Sequence, residues 1–322
     1  MSRADFSADL PPEIAARVTG SVLNEGRATV VLDVAGVGEE ARGALERAVT
    51  EALSGRSDVN DVRVVMTAER KGPMIIAVGS GKGGVGKSTL TANLAIALTK
   101  KGVKVGLVDA DIYGPSQPVI FGTQSVRPDA RDNKPVPIES KYGVPHLSMG
   151  HLVAPGKALA WRGPMASGAI TQLLEAHWSS ETEVLLVDLP PGTGDVQLTM
   201  IQKFKPAGAV LVSTPQDLAL IDAARAGQLF EQGNVPIIGL IENMAGYACP
   251  HCGEVSDPFG HGGVEKFAAA LEIPFLGRVP LRLETRVAGD AGQPPAASDG
   301  DGAAPFLAIA ERIAAWLRGE GV

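Results

Sequence analysis

The sequence Gly79-Ser80-Gly81-Lys82-Gly83-Gly84-Val85-Gly86-Lys87-Ser88-Thr89 follows the apolar run 74–78. An apolar strand, a glycine-rich turn and then a helix form a phosphate-binding loop, in which backbone N–H groups and the helix N-terminus face phosphate oxygens. Residues 81–88 match G-x-x-x-x-G-K-[ST], so Lys87 is predicted to reach the β- and γ-phosphates and Ser88 to ligate Mg²⁺. The other loop residues predicted to contact the nucleotide are Gly81, Lys82, Gly83, Gly84, Val85, Gly86 and Thr89. This stretch therefore predicts a nucleotide-binding domain.

A second lysine, Lys82, stands near the start of the loop. It lies too far from the Lys87 position to contact the same phosphate oxygens of its own chain. We therefore interpret Lys82 as available to reach a nucleotide across a dimer interface, and both lysines are candidate catalytic residues.

Composition and charge narrow the classes of function. The chain has 322 residues, of which 45% are hydrophobic, which is enough for a large core and a small additional module. A net charge of −7 argues against a nucleic-acid partner, because such proteins usually cluster an excess of Lys and Arg. No apolar run approaches the roughly 20 residues that span a bilayer, and residues 1–10 lack the apolar segment of a signal peptide. We expect a cytoplasmic protein without a membrane partner.

The pattern of apolar runs divides the chain into two parts. Residues 1–70 are predicted to form a small αβ module, with strands at 28–34 and 62–66 and a helix at 39–53. Residues 71–322 are predicted to form the ATPase domain, whose short apolar runs are typical of strands buried on both faces. Its predicted strands are 75–78, 105–108, 184–187, 209–212 and 237–241. Its predicted helices are 87–100, 164–178, 195–204, 218–232 and 264–271.

This alternation predicts an α/β fold with a doubly wound, mostly parallel sheet, that is, a P-loop NTPase of the deviant Walker A type with an N-terminal αβ module. We expect residues 133–149 to form an inserted hairpin or loop. Residues 289–304, rich in Gly, Pro, Ala and Asp, are expected to form a mobile loop. A last helix at 305–318 is expected to pack its apolar side into the core.

Carboxylates follow two of the predicted strands. Asp109 and Asp111 follow strand 105–108, and Asp188 follows strand 184–187, at the sheet edge where doubly wound folds bind ligands. Asp111 is a candidate to orient the attacking water or a Mg²⁺-bound water; alternatively, Asp109 and Asp111 both cap the next helix. Asp188 is predicted to be a second carboxylate beside Mg²⁺. The loop 189–195 that follows it is predicted to sense the γ-phosphate.

The two cysteines of the chain, Cys249 and Cys252, form a C-x-x-C motif. Such a pair serves zinc, redox chemistry or an iron–sulfur cluster. The turn-like residues 253–258 disfavour a thioredoxin-type redox pair, which sits where a helix begins. Zinc and a [4Fe-4S] cluster usually require four protein ligands, which two chains related by a two-fold axis supply from one motif. Three interpretations of the cysteine pair therefore remain open. A bridging iron–sulfur cluster is favoured, bridging zinc comes second, and a redox function or no function comes third.

Taken together, these motifs resemble the Mrp/ApbC group of P-loop ATPases that carry iron–sulfur clusters. The resemblance covers residues 75 to about 290. It rests on the segments 81–88, 109–116, 161–164, 188–195, 213–216, 241–244, 249–253 and 259–263. A phosphate loop with Lys82 is equally similar to those of Min-type, Par-type and nitrogenase-reductase proteins. The Pro-Pro-Gly-Thr-Gly-Asp and Cys-Pro-His-Cys segments are much more specific.

The resemblance implies a homodimer with ATP and Mg²⁺ at its interface, Lys82 reaching across and Asn243 on the adenine. It also implies a labile [4Fe-4S] cluster bridged by Cys249 and Cys252 of both subunits, slow ATP hydrolysis, and transfer of the cluster to apo acceptor proteins. The N-terminal module of that group often carries an Asp-Pro-Glu turn and a cysteine, and neither occurs before residue 74. The resemblance therefore supports the fold of this module but assigns it no metal or partner.

Two alternatives come from other classes of function. One is a positioning ATPase of the Min or Par type, which acts on a membrane or on DNA. The acidic net charge and the nearly neutral polar side of the last helix disfavour it. The other is a nucleotide-sensing scaffold stapled by zinc, without transfer activity.

Overall fold

The computed structural model describes residues 2–3, 6–24, 26–34, 37–67, 72–152 and 164–321. Residues 161–163 of the resemblance and residues 68–71, at the predicted boundary between the two parts, lie outside these ranges. The chain divides into two compact units, Met1–Gly72 and Pro73–Val322.

The first unit is a four-stranded sheet with helices. Its elements are β1 (Ser2–Arg3), α1 (Pro12–Ala15), β2 (Val18–Asn24), β3 (Arg27–Asp33), α2 (Glu39–Ser54) and β4 (Asp61–Thr67). The strands are ordered β1-β2-β3-β4, and only β3 and β4 are parallel, because α2 connects them as a crossover. Val30 and Leu32 of β3 pack with Val49 of α2 in a small core. Strand β2 was not predicted from the sequence, and its burial does not alternate.

The second unit contains an eight-stranded, mostly parallel sheet. The strands of this unit, which include two outside the main sheet, are β5 (Met74–Gly79), β6 (Val105–Asp109), β7 (Ala130–Arg131), β8 (Lys134–Pro135), β9 (His146–Ser148), β10 (Val184–Asp188), β11 (Gly208–Ser213), β12 (Ile237–Ala248), β13 (Val255–Ser256) and β14 (Phe275–Leu281). The order is β13-β12-β11-β5-β10-β6-β9, with β14 also paired to β12. Within this sheet β13 pairs antiparallel and the other strands pair parallel, while β7 and β8 form a separate hairpin.

Helices cover both faces of this sheet. They are α3 (Lys87–Lys100), α4 (Gln117–Phe121), α5 (Met149–Leu152), α6 (Pro164–Leu174), α7 (Asp195–Thr199), α8 (Asp217–Gln232), α9 (Gly263–Ala270), α10 (Leu283–Asp290) and α11 (Ala304–Leu317). On β5, Ile76 belongs to the core cluster shared with α3 and α11, whereas Ala77 belongs to the cluster shared with α6 and α8. The predicted doubly wound α/β class is confirmed. Among the described residues, no helix is long and apolar enough to cross a membrane.

Two of the expected irregular segments are more ordered than predicted. Within 133–149, residues His146–Ser148 form a strand of the main sheet beside β6, and the hairpin is limited to β7 and β8. The expected mobile loop 289–304 is packed: Ala296 is fully buried, and its N–H donates to Asn93 Oδ1 of α3 at 2.8 Å. The expectation was wrong because small alanines between the prolines and glycines fit closely against α3.

The last helix, α11, was predicted from the sequence, whereas the last strand, β14, was not. Phe306, Ile309 and Ile313 of α11 are buried, as expected from its apolar side. Strand β14 was missed because it contains Gly277 and Pro280, which normally argue against a strand.

Candidate functional site

The phosphate loop connects β5 to α3 and needs its glycines for two physical reasons. Gly86, the residue before α3, has a φ of 80°, and a Cβ there would lie 2.2 Å from Asn243 Nδ2. At Gly81 a Cβ would lie 2.0 Å from the carbonyl carbon of Asp222 in α8. The loop surrounds a cavity of about 300 Å³ that Asp111 and Pro191 also line. The structure thus brings three of the predicted site segments together.

Lys87 forms a buried ion pair with Asp188. Lys87 Nζ lies 2.5 Å from Asp188 Oδ1, and their side chains are 6% and 0% exposed. Gln117 Nε2 donates to the other oxygen, Asp188 Oδ2, at 2.8 Å and to the carbonyl of Ser88 at 3.0 Å. In this state Lys87 neutralises the buried carboxylate of Asp188.

Asp109 and Asp111 have different surroundings. Asp109 is fully buried and accepts hydrogen bonds from Ser148 Oγ, from the N–H of Asp111 and from the N–H of Gln117, the first residue of α4. Burial, followed by the charge of Asp188, raises the pKa of Asp109 to about 8. Asp109 thus joins the N-terminus of α4, which is what the capping alternative expects. Asp111 instead accepts from the N–H groups of Tyr113 and Gly114 in its own turn and lines the phosphate cavity.

Lys82 points to α8. Its Nζ donates to Oε1 of Gln216, the residue before α8, at 3.2 Å, and its side chain is half-buried. Two large apolar side chains one turn apart on α8 are exposed, Leu218 by 73% and Ile221 by 51%. Tyr113, in the turn after β6, is 79% exposed. Exposed apolar side chains that lie together on a helix are more typical of an interface than of a solvated face.

A second cavity, of about 600 Å³, shares Gly86 and Thr89 with the phosphate cavity. Asn243 and Met244 of β12 and Leu281 of β14 also line it, and its volume is in the range of ligand pockets. Asn243 is buried, and its Nδ2 donates to the carbonyl of Val85 at 2.7 Å. Asn243 therefore braces the phosphate loop as well as lining the cavity next to it.

The two cysteines lie in the turn of a hairpin. Strand β12 ends at Ala248, which pairs with Val255 of β13. The N–H of Cys249 donates to the Glu254 carbonyl at 2.9 Å, and the N–H of Gly253 donates back to the Cys249 carbonyl at 2.8 Å. Both thiols are free, and Cys252 is exposed. Hydrogen bonds from the N–H groups of Cys252 and His251 lower the pKa of Cys249, which favours the thiolate that binds metals.

His261 and Asp257 follow the cysteine hairpin in the sequence. His261 Nδ1 lies 3.7 Å from Asp257 Oδ1, and both side chains are exposed. In the part of the chain that the structure describes, no three His, Cys, Asp or Glu side chains are grouped so that they could hold a metal ion.

Strand β12 carries a buried charge next to Asn243. Glu242 is fully buried and accepts from the N–H of Val264 at 2.9 Å and from Arg278 Nε at 3.0 Å. It thereby attaches the start of α9, after the cysteine hairpin, to the strand that braces the phosphate loop. Met244, the next residue but one, has a φ of 58°, which is unusual for a side chain of its size.

The chain matches a known family over most of its length. The model of the NUBPL iron-transfer P-loop NTPase family matches residues 73–314. The chain belongs to this family. This NTPase is 48% identical to an "Iron-sulfur cluster carrier protein" of Pseudomonas fragi, over 74% of the chain and 83% of that protein. Proteins of the same name from Escherichia coli K12 and Methanocaldococcus jannaschii are each 44% identical, over 77% and 76% of the chain and 68% and 85% of those proteins.

Solved structures agree with this classification of the NTPase. A nucleotide-binding protein from Archaeoglobus fulgidus in complex with ADP is 37% identical, with a TM-score of 0.63 over 73% of this chain and 91% of that one. The cell division ATPase MinD of Pyrococcus furiosus is 24% identical, with a TM-score of 0.55 over 76% of this chain and all of that one, and shares the fold.

Sequence reasoning missed several buried polar residues of this NTPase. Gln117 was not singled out, because a single glutamine after Pro-Ser matches no motif. Glu242 had a signal, since a carboxylate inside an apolar strand needs a buried partner. A pair of buried histidines was also missed. Thr123 Oγ1 lies 2.9 Å from His146 Nε2 and 3.2 Å from His151 Nε2, and burial lowers the pKa of both histidines to about 4.

Proposed function

We propose that this NTPase is an ATP-dependent carrier of iron–sulfur clusters: a homodimer that binds a bridging [4Fe-4S] cluster as its cargo and passes it to apo acceptor proteins. The observation that carries the proposal is the course of β12, which contains Asn243 at the phosphate loop and leads directly into the Cys249–Cys252 hairpin. The names of the relatives, cluster carriers at 44–48% identity, support it.

The nucleotide site suits Mg²⁺ and ATP. Ser88, Asp111 and Asp188 offer the oxygen ligands that Mg²⁺ prefers, either directly or through its water molecules. The donor set fits on a further ground, because Gln117 Oε1 is buried next to this group without a partner among the described residues. When bound, Mg²⁺ neutralises phosphate charge. Lys87 moves from Asp188 to the β- and γ-phosphates, and Asp111 orients the attacking water.

The cysteine hairpin suits a cluster shared between two chains. Each chain brings two thiols, and a [4Fe-4S] cluster usually takes four. Cys252 is exposed, so an acceptor protein can reach the bound cluster. The exposed side chains of Leu218 and Ile221 on α8 offer an apolar surface for a second copy, in which Lys82 reaches the partner's nucleotide.

Coupling between the two sites follows from their attachment to one strand. Nucleotide binding changes the contacts of the phosphate loop, and Asn243 transmits this change to β12 through the Val85 carbonyl. Two nucleotide states that hold the hairpins differently then differ in cluster affinity, and slow hydrolysis switches between them.

Anaerobic reconstitution tests the cargo. We expect the wild type, treated with iron and sulfide, to gain the visible absorbance of a cluster, with four irons per two chains, and to activate an apo enzyme that needs a [4Fe-4S] cluster. The variant Cys249→Ala/Cys252→Ala should neither hold nor transfer it. His261→Ala, an exposed change nearby, is the matched control and should behave as wild type. A double cysteine variant that still transfers the cluster contradicts the proposal.

Metal analysis separates the carrier from a zinc-stapled scaffold. The cysteine turn is chemically suited to zinc too, because Cys249 and Cys252 lie within one short hairpin. Protein made anaerobically with sufficient iron should contain iron and sulfide in equal amounts and little zinc. Stoichiometric zinc under these conditions favours the scaffold.

The dimer has its own test. The change Leu218→Asp puts a charge on the exposed apolar surface and leaves the fold intact, since the side chain is exposed. Analytical ultracentrifugation with a non-hydrolysable ATP analogue should find wild-type dimers and a variant that dissociates. The control is Glu320→Ala, an exposed change after α11, which packs on the other face of the sheet from α8. Equal dimerisation of all three proteins contradicts the proposed interface.

A further inference from the structure

Gln117 is a buried glutamine with half of its amide unused. Its side chain is fully buried at the first position of α4. The Nε2 group makes two hydrogen bonds, to Asp188 Oδ2 at 2.8 Å and to the Ser88 carbonyl at 3.0 Å. Its Oε1 has no hydrogen-bond partner in the described part of the chain. A buried acceptor without a donor lowers the stability of the folded protein, so the unpaired Oε1 of Gln117 needs an explanation.

The backbone around Gln117 leaves its side chain little freedom. The Gln117 N–H donates to Asp109 Oδ2 at 3.1 Å, and Asp109 lies opposite Asp188 in the register of β6 and β10. Gln117 therefore bridges the ends of two neighbouring strands and the first turn of α3. This places its amide against the groups that the proposed function assigns to Mg²⁺ and phosphate.

The hydrogen bond from Gln117 to Asp188 becomes important when the Lys87–Asp188 ion pair is broken. When Lys87 leaves Asp188 for the phosphates, the buried carboxylate loses its only cationic partner among the described residues and keeps the bond from Gln117 Nε2. A charge-assisted bond of this kind holds a carboxylate in one orientation.

We propose that Gln117 is a positioning residue for the metal–nucleotide site: Nε2 fixes Asp188 after Lys87 has moved, and Oε1 accepts a hydrogen bond from a water molecule of the bound Mg²⁺. The inference rests on the nucleotide binding of the proposed function and is independent of the cluster. An amide is required, because the same side chain must donate to a carboxylate and accept from a water.

Binding of a fluorescent ADP analogue tests this assignment without any turnover. The quantity is the magnesium ratio, the dissociation constant in EDTA divided by that in excess Mg²⁺. Gln117→Met keeps the length of the side chain and removes both polar atoms. We expect its magnesium ratio to fall by about tenfold, the loss expected for one hydrogen bond to a charged group. Gln117→Glu adds a carboxylate beside Asp188 that a cation must neutralise, so its ratio should rise above that of the wild type.

Asn93→Leu is the matched control. Asn93 is also a fully buried amide with two hydrogen bonds, to the Thr89 carbonyl and from the Ala296 N–H, and neither joins Asp188. Loss of the Asn93 amide should lower the stability of the protein. It should leave the magnesium ratio within about twofold of the wild type, because Asn93 shares no hydrogen-bond partner with Gln117 and the two sites should act independently.

The outcomes separate the claims. A lower magnesium ratio in Gln117→Met and a higher one in Gln117→Glu support the inference. If Gln117→Met does not fold, a higher ratio in Gln117→Glu alone supports it. An unchanged ratio in both Gln117 variants, or an equal fall in the Asn93 control, overturns it. A wild type that does not bind the ADP analogue contradicts the proposed function as well.

Discussion

The phosphate loop and the cysteine hairpin are connected by one strand, β12, and are built in opposite ways. At the loop, Lys87 and Asp188 are buried, and Gly86 has no room for a Cβ. In the hairpin, Cys252 is exposed, and nothing lies within 4 Å of a Cβ at Gly253. The nucleotide end is preassembled and tolerates little change. The cysteine end is accessible, which suits a cargo that must be released.

The largest expected effect is at the buried ion pair. Lys87→Ala leaves the Asp188 carboxylate buried without a cationic partner among the described residues, so the free energy of unfolding should fall by about 3–5 kcal/mol and nucleotide binding should be lost. Urea unfolding and binding of the ADP analogue measure both. Lys82→Ala, which removes a half-buried lysine of the same loop, is the control and should retain most of the stability. Equal stability of wild type and Lys87→Ala would mean that the loop is not the rigid end.

Two glycines sharpen the comparison next. Gly86 and Gly253 have φ values of 80° and 75°, so alanine at either position costs about 1–2 kcal/mol of backbone strain. Only at Gly86 does the new Cβ collide, with Asn243 Nδ2. Gly86→Ala should therefore lose more stability than Gly253→Ala and also weaken nucleotide binding. Calorimetry and the binding assay give both values, and similar results for the two variants would remove the contrast.

A smaller effect concerns the pH dependence of stability and distinguishes the buried core of the NTPase from the exposed hairpin. Burial holds the pKa of His151 at about 4 in the folded state, below the ordinary value of 6.5, so the unfolded chain binds more protons between these values. Stability from this group is complete above pH 6.5 and is lost as the pH falls toward 4. Between pH 7.5 and 5 the loss is about 2 kcal/mol for one histidine.

The variant His151→Gln isolates this contribution, because His146, with its lowered pKa, and Asp109, with its raised pKa, are present in both proteins. Its stability deficit relative to the wild type should shrink by that amount from pH 7.5 to pH 5, as measured by chemical denaturation. A deficit that does not change with pH would contradict the assignment of a neutral, buried His151.

Local sequence signals predicted the parts of the molecule that depend on neighbours in the chain. The run 81–88, the strand ends at Asp109 and Asp188, and the C-x-x-C turn each carry a short pattern. Contacts between distant segments left no such pattern: Gln117 meets Asp188 across 71 positions, and Asn243 meets Val85 across 158. Strand β14 was missed for another reason, since Gly277 and Pro280 are tolerated by its place beside β12.

The most direct test of the account is the affinity for a non-hydrolysable ATP analogue, measured anaerobically on the apo protein and on the protein loaded with a [4Fe-4S] cluster. If ATP binding changes cluster affinity, linkage requires that the cluster changes nucleotide affinity by the same factor. We predict a difference of about fivefold or more, the lower range of typical coupling energies. Equal affinities of the two forms would contradict the claim that one strand couples the phosphate loop to the cysteine hairpin.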